Sequence, residues 1–264
     1  MTITIAMAGK GGTGKTSLAS LIIRNLIKRN GAPILAVDAD ANANLGWSLG
    51  LTVKKTIGSV LADFNDEKMT IPSGMSKEAY LNFKLNAAVV ESKNVDLITM
   101  GRGEGAGCYC FPNNVLKEFI DKLAVNYRFM VMDNEAGLEH LSRRTTEDVD
   151  ELIVVSNHSV KGVRTIGNIL DLIKELNLNV KRRSIVINQA PAELDPAIRA
   201  GLGQLGIGAD AVIPMDGLIA DYDLEQRPLT ELPDDSPAVR AMDGLMEKLL
   251  GKNVATDPDK RQMK

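Results

Sequence analysis

Short apolar runs rich in β-branched residues recur along the chain at Thr2–Ala8, Ile34–Asp38, Val95–Met100, Phe129–Asp133, Leu152–Ser156, Ser184–Asn188 and Ala211–Pro214. Most lack the apolar/polar alternation of a half-exposed strand, so they read as strands buried on both faces. Helical periodicity falls between them. Lys15–Arg29 carries Leu18, Leu21, Ile22, Leu26 and Ile27 on one side and is followed by Gly31 as a stop signal. Asn114–Ala124 and Val160–Leu176 read the same way, and Ser236–Pro237 opens a helix that runs to about Leu250. Strands alternating with helices predict an α/β fold, with a mainly parallel sheet of about seven or eight strands, helices on both faces and right-handed crossovers. The segment Thr52–Asn94 is less periodic and reads as an irregular insertion. Residues 1–250 read as one domain and 251–264 as a polar, disordered tail.

Composition changes this picture little. Of 264 residues, 44% are hydrophobic, 25% charged and only 4% aromatic, and the formal net charge is -3. These values suit a soluble globular protein and argue against nucleic-acid binding through the whole surface. No apolar run approaches the roughly 20 residues of a membrane helix. The opening "MTITIAMAGK" has no basic region before its apolar stretch, so it reads as a buried strand and not a signal peptide. The expectation is a cytoplasmic protein with neither nucleic acid nor membrane as partner.

Chemistry enters with "GKGGTGKT", Gly9–Thr16, which fits the phosphate-loop pattern G-x-x-x-x-G-K-[ST] between a strand and a helix. Glycines at Gly9, Gly11, Gly12 and Gly14 let backbone N–H groups turn inward around phosphate oxygens. The helix carrying Lys15, Thr16 and Ser17 offers its positive end to the same phosphates. Lys15 is expected to reach the β- and γ-phosphates of ATP, and the Thr16 hydroxyl to bind Mg²⁺. Two apolar strands end in acid. "ILAVDADANANL" ends in Asp38 and Asp40, and residues two apart in an extended chain face the same way. "FMVMDNEAGLEHL" ends in Asp133, where a Walker B aspartate holds Mg²⁺ through water.

Cys108 and Cys110, in "GAGCYCFPN", are the only cysteines. They follow a glycine-rich loop, and a disulfide across one intervening residue is strained. In an extended segment the two thiolates, about 6.6 Å apart along the chain, share a face and can converge on one ion. A closed thiolate site needs four sulfurs, and His140 and His158 are the only imidazoles. A two-fold homodimer supplies the missing pair, making Cys108 and Cys110 a dimer-bridging site for Ni²⁺ or Zn²⁺.

The loop with its early lysine, Lys10, resembles the deviant phosphate loop of the MinD/ParA group of ATPases. That resemblance implies that Lys10 crosses a dimer interface to the partner's phosphates, that Asp38 holds the Mg²⁺ shell and that Asp40 orients the attacking water. The group often has proline after the second aspartate, where this chain has Ala41. It also implies that Asn188 bonds the adenine edge and that Pro214 and Asp216 pack about the ring. No guanine-type Asn-Lys-x-Asp motif is present. With "CYC" and "DNEAGLEHL", the chain resembles the CooC family, nickel-maturation ATPases for carbon monoxide dehydrogenase and acetyl-CoA synthase, from Met1 to about Leu250. The function this implies is an ATP-hydrolysing metallochaperone, a homodimer with such an enzyme as client, using ATP/ADP and Mg²⁺. Two alternatives remain. One is a positioning ATPase on membrane or DNA, for which "VKRRS" at Val180–Ser184 is the compact basic candidate. The other is an electron-transfer ATPase whose dimer holds an iron–sulfur cluster.

Overall fold

The computed structural model describes residues 2–66, 71–102, 110–135, 148–191 and 193–251. Seven strands form one parallel sheet: β1 (Ile3–Gly9), β2 (Ile34–Ala39), β3 (Val95–Thr99), β4 (Phe129–Asn134), β5 (Asp148–Asn157), β6 (Asn179–Ala190) and β7 (Ala211–Pro214), in the order β3-β2-β4-β1-β5-β6-β7. β1 lies at the centre, with Met7 in register with Asp133 of β4 and with Ile153 of β5. Every residue of β2 and β4 is buried, as their unbroken apolar runs predict.

Two apolar layers flank the sheet. One holds α1 (Lys15–Lys28), the short α2 (Leu45–Ser48) and α9 (Pro237–Leu250). The other holds α3 (Ile57–Asp66), α4 (Lys77–Asn86), α5 (Cys110–Ala124), α6 (Val160–Glu175) and α7 (Pro196–Gln204). A further helix, α8 (Gly217–Leu224), follows β7 at the sheet edge. The cap read from sequence is present: the Ser236 hydroxyl accepts from Val239 N–H at 3.2 Å with Pro237 at the first helical position. A second cap, which the sequence reading did not name, is Ser159, whose Oγ accepts from Gly162 N–H at 3.0 Å. The stop after α1 differs in detail. Asn30 takes the left-handed conformation (φ 54°), and Gly31 donates to Leu26 O at 2.7 Å.

Three expectations need correction. Thr52–Asn94 is not an irregular insertion: it contains α3, which buries Ile57, Val60, Leu61 and Phe64 at helical spacing, and α4, which buries Leu81 and Leu85. The helix expected from Asn114 begins at Cys110. β5 and β6 extend well before their apolar runs, because cross-strand charges match there: Lys181 pairs with Asp150 at 2.7 Å and Arg182 with Glu151 at 3.2 Å. The proposed tail beyond Gly251 lies outside the described residues.

Candidate functional site

The site forms where the carboxyl ends of β1, β2 and β4 meet the start of α1, the crevice in which open α/β sheets bind ligands. Residues 9–14 leave β1 as a loop that only glycine permits at two points. A Cβ on Gly9 would lie 2.3 Å from Val155 O on β5. Gly14 has φ 85°, and its Cβ would lie 2.3 Å from Asn188 Nδ2. The loop is braced from within and from the far side of the sheet. Thr13 Oγ1 donates to Lys10 O at 2.8 Å, and Asn188 Nδ2, at the end of β6, donates to Thr13 O at 2.8 Å. The first turn of α1 holds no acidic residue, so its positive end is left for an anion. Gly11 and Gly12 are exposed beside Lys10, which is exposed too, and Ser17 lines the adjoining cavity.

Lys15 is only 6% exposed, and its ammonium donates to Gly9 O at 3.2 Å and Lys10 O at 3.3 Å. Burial lowers its pKa below the ordinary lysine value, against the pull of Asp133, Asp40 and Glu135. Thr16 Oγ1 donates to Asp133 Oδ2 at 2.6 Å, while among the described residues the buried Oδ1 of Asp133 has no hydrogen-bond partner. Asp38 is in register with Asp133 on the neighbouring strand and accepts from Asp40 N–H at 3.1 Å and Leu45 N–H at 2.9 Å. Burial pushes the Asp133 carboxyl up to about 7 and that of Asp38 to about 6, with the proximity of the other carboxylates adding to both. Asp40 does not continue the strand. β2 ends at Ala39, and Asp40 opens a turn in which its Oδ1 accepts from Asn42 N–H at 2.8 Å and Asn42 Nδ2 at 2.9 Å.

The Thr16 hydroxyl and the two neighbouring carboxylates, one of them with a buried oxygen unpartnered among the described residues, are hard donors of the kind Mg²⁺ prefers, beside a loop shaped for phosphate. The residues present therefore fit Mg²⁺ and a nucleoside triphosphate. Thr16, Asp38 and Asp133 would hold the ion, which would neutralise phosphate charge there.

A cavity of about 620 Å³ continues from Gly14, Thr16 and Ser17 to Pro214 and the start of α8. Asn188, Pro214 and Asp216 all line it. Asp216 is also a structural tie: Oδ1 accepts from Leu218 N–H at 3.0 Å, and Oδ2 accepts from Ser236 Oγ at 2.5 Å and Ala238 N–H at 3.2 Å. The sequence reading missed Trp47, Gln189, Gln226 and Arg227, which line the same cavity. Arg227 stacks over the Tyr222 ring, 3.9 Å from its centroid, and donates to its hydroxyl at 2.9 Å. A signal was available in "INQAP" and "LEQRP", where glutamine stands in turns that glycine or asparagine usually fills.

Cys110 is the first residue of α5, whereas Cys108 lies outside the described residues. Among the described residues, no group of three or more His, Cys, Asp or Glu side chains is arranged to hold a metal ion. Nor is any helix among them long and apolar enough to cross a membrane.

Residues 1–186 match the family described as AAA domain. The chain is 42% identical over 250 residues to an uncharacterised ATP-binding protein of Methanocaldococcus jannaschii, covering 94% of this chain and 98% of that protein. It is 30% identical over 189 residues to the carbon monoxide dehydrogenase accessory protein CooC of Rhodospirillum rubrum, covering 66% of this chain and 70% of that one. Among solved structures, the septum site-determining protein MinD of Pyrococcus horikoshii, complexed with Mg-ADP, superposes with a TM-score of 0.68. The match has 24% identity and covers 94% of this chain and 96% of that one, a likeness of fold.

Proposed function

Since the chain belongs to the AAA-domain family of P-loop ATPases and has the MinD/ParA-like fold, we propose that it couples ATP hydrolysis to the capture and release of a thiophilic metal ion held between two copies of itself. The observation that carries the ATPase half is the Thr16–Asp133 pair with its unpartnered buried oxygen, set beneath a phosphate loop. In this reading Lys15 neutralises the β- and γ-phosphates, and the N–H groups of residues 11–16 cradle them. Asp40 orients the attacking water, and Lys10 of each subunit reaches the phosphates bound by the other. The metal is cargo. Cys108 and Cys110 from both subunits supply four thiolates, so closing the dimer builds the site and hydrolysis opens it, which links metal affinity to nucleotide state in both directions.

The relative named a carbon monoxide dehydrogenase accessory protein supports this reading, with an enzyme of that kind as client; nickel as the cargo rests on the family resemblance alone. The MinD likeness, being one of fold, leaves open a positioning ATPase on membrane or DNA. What supports the metallochaperone over that alternative is the cysteine pair in the sequence, half of a thiolate coordination sphere that a positioning ATPase does not need.

The test is titration of Ni²⁺ and Zn²⁺ against subunit mass, with and without ATP. The expected result is one ion per dimer, bound more tightly with ATP. Cys108→Ala with Cys110→Ala should abolish stoichiometric metal and spare nucleotide binding, and Lys15→Ala should abolish ATP turnover. One metal per dimer in the double cysteine variant would refute the ligand assignment. Broad visible absorption of anaerobically purified protein would favour an iron–sulfur cluster. Retention on liposomes or DNA at low salt would favour the positioning ATPase.

A further inference from the structure

Among the described residues, five that are not glycine take a left-handed backbone: Asn30, Ala43, Asn177, Gln189 and Gln226. Two are asparagines that close α1 and α6, the ordinary choice for such a position. Ala43 lies in the turn after Asp40. The two glutamines are different. Gln189 (φ 54°) sits at the register irregularity of β6 between Ile187 and Ala190, and Gln226 (φ 55°) follows the last turn of α8. At both points glycine would serve the backbone without strain, and at both the chain keeps a long side chain. Both line the cavity that runs from the phosphate loop. Both are exposed, and among the described residues neither side-chain amide has a hydrogen-bond partner.

Three of the polar residues around that cavity, Asn188, Asp216 and Arg227, are already engaged, while Ser17, Asn44 and Asp223 line it as well. Asn188 Nδ2 donates to Thr13 O, and both carboxylate oxygens of Asp216 accept from the N-terminal turns of α8 and α9. Arg227 has one guanidinium nitrogen on Glu225 and another on the Tyr222 hydroxyl. We propose that Gln189 and Gln226 are the residues that read the base edge of the bound nucleotide and set its preference for adenine. An amide offers a donor and an acceptor side by side, which matches the amino group and adjacent ring nitrogen of adenine. A guanidinium fork, the usual partner for the O6 and N7 of guanine, is not free here, because Arg227 is held against Tyr222. The left-handed backbone is then the local strain that aims each amide into the cavity.

This inference rests on the nucleotide site described above, and its failure can be told from failure of that reading. ADP and GDP are titrated calorimetrically into the full chain and into Gln189→Gly, Gln226→Gly and the double variant. Wild type should prefer ADP by about tenfold or more. Each single variant should lose part of that preference, and the double variant should bind both nucleotides within about twofold of each other. The melting temperature of the nucleotide-free protein should hold or rise, since glycine relieves the left-handed strain. A purely structural role would lower the melting temperature and leave the base preference intact. Gln226→Asn, suited to the same backbone but one methylene shorter, should give an intermediate preference if glycine loosens the turn. Full ADP preference in the double variant, or equal binding of ADP and GDP by wild type, would overturn the assignment. Failure of wild type to bind either nucleotide would remove the phosphate-loop reading itself, and this one with it.

Discussion

At the scale of single residues, the most consequential feature is two carboxyl groups held where water does not reach. Asp38 and Asp133 are 0% and 1% exposed, and burial raises both above the ordinary carboxylate range, to about 6 and about 7. A group whose folded pKa is raised binds its proton more tightly in the native state than in the unfolded one. Its contribution to stability is therefore full below the unfolded value, near 4, and is lost as pH rises through the folded value. For the nucleotide-free protein this predicts stability declining between about pH 4 and 7. Asp133→Asn, which removes that ionisation, should flatten the decline and raise the melting temperature at pH 7.5 by on the order of 2–4 °C. Mg²⁺ binding needs the ionised forms, so Mg-ADP affinity should run the opposite way and weaken below about pH 7. Thermal melts and Mg-ADP titrations at pH 5.5, 6.5 and 7.5 check both signs. An Asp133→Asn variant with unchanged pH dependence would contradict the burial argument.

At the scale of elements, the phosphate loop is held by the strand that ends beside it. Gly14 is kept free of a side chain by the approach of Asn188, 174 residues further along the chain, whose amide carries the Thr13 carbonyl. Asn188→Ala leaves that buried carbonyl without its donor. The expected stability loss is about 1–3 kcal/mol, read by urea denaturation, with ADP affinity falling roughly tenfold as the loop loosens. Full ADP affinity in this variant would mean that β6 does not brace the loop. A second tie, on the other side of α1, is Arg24, 4% exposed, which donates to Leu232 O through Nε at 3.0 Å and Nη2 at 2.7 Å and pairs with Asp234. It anchors the helix that presents Lys15 and Thr16 to the segment following α8, so both ends of the nucleotide cavity share one support.

At the scale of the whole molecule, the exposed lysine of the loop is the feature that a single chain leaves unexplained. Lys10 contributes its carbonyl to the loop, but among the described residues its ammonium is in no ion pair. If it serves a second copy, specific ATPase activity should rise with protein concentration. Lys10→Ala should lower kcat at least about 100-fold while changing ADP affinity less than about threefold. Turnover assays across a dilution series measure both, and activity independent of concentration in wild type would remove the cross-subunit role.

The fold was legible because its signals are local and mutually consistent. Unbroken apolar runs mark strands buried on two faces, and Ser236 and Pro237 mark a helix start. Where reading failed, the decisive partner was distant. The charged first halves of β5 and β6 became strand only because Asp150 and Glu151 meet Lys181 and Arg182 across the ladder. α3 and α4 were missed although Ile57, Val60, Leu61 and Phe64 have helical spacing, because the surrounding segment is polar and irregular.

The sequence by itself determined the seven strands, the helices α1, α5, α6 and α9 between and after them, and the phosphate-loop pattern, since backbone geometry and side-chain type act within a few residues. Tertiary structure alone decided that Asp38 and Asp133 stand in register, that Asn188 supports Thr13, that Asp216 is spent on two helix starts, and that Gln189 and Gln226 share one cavity. Each of those facts joins positions far apart in the chain, and only the packing of the sheet brings them within reach.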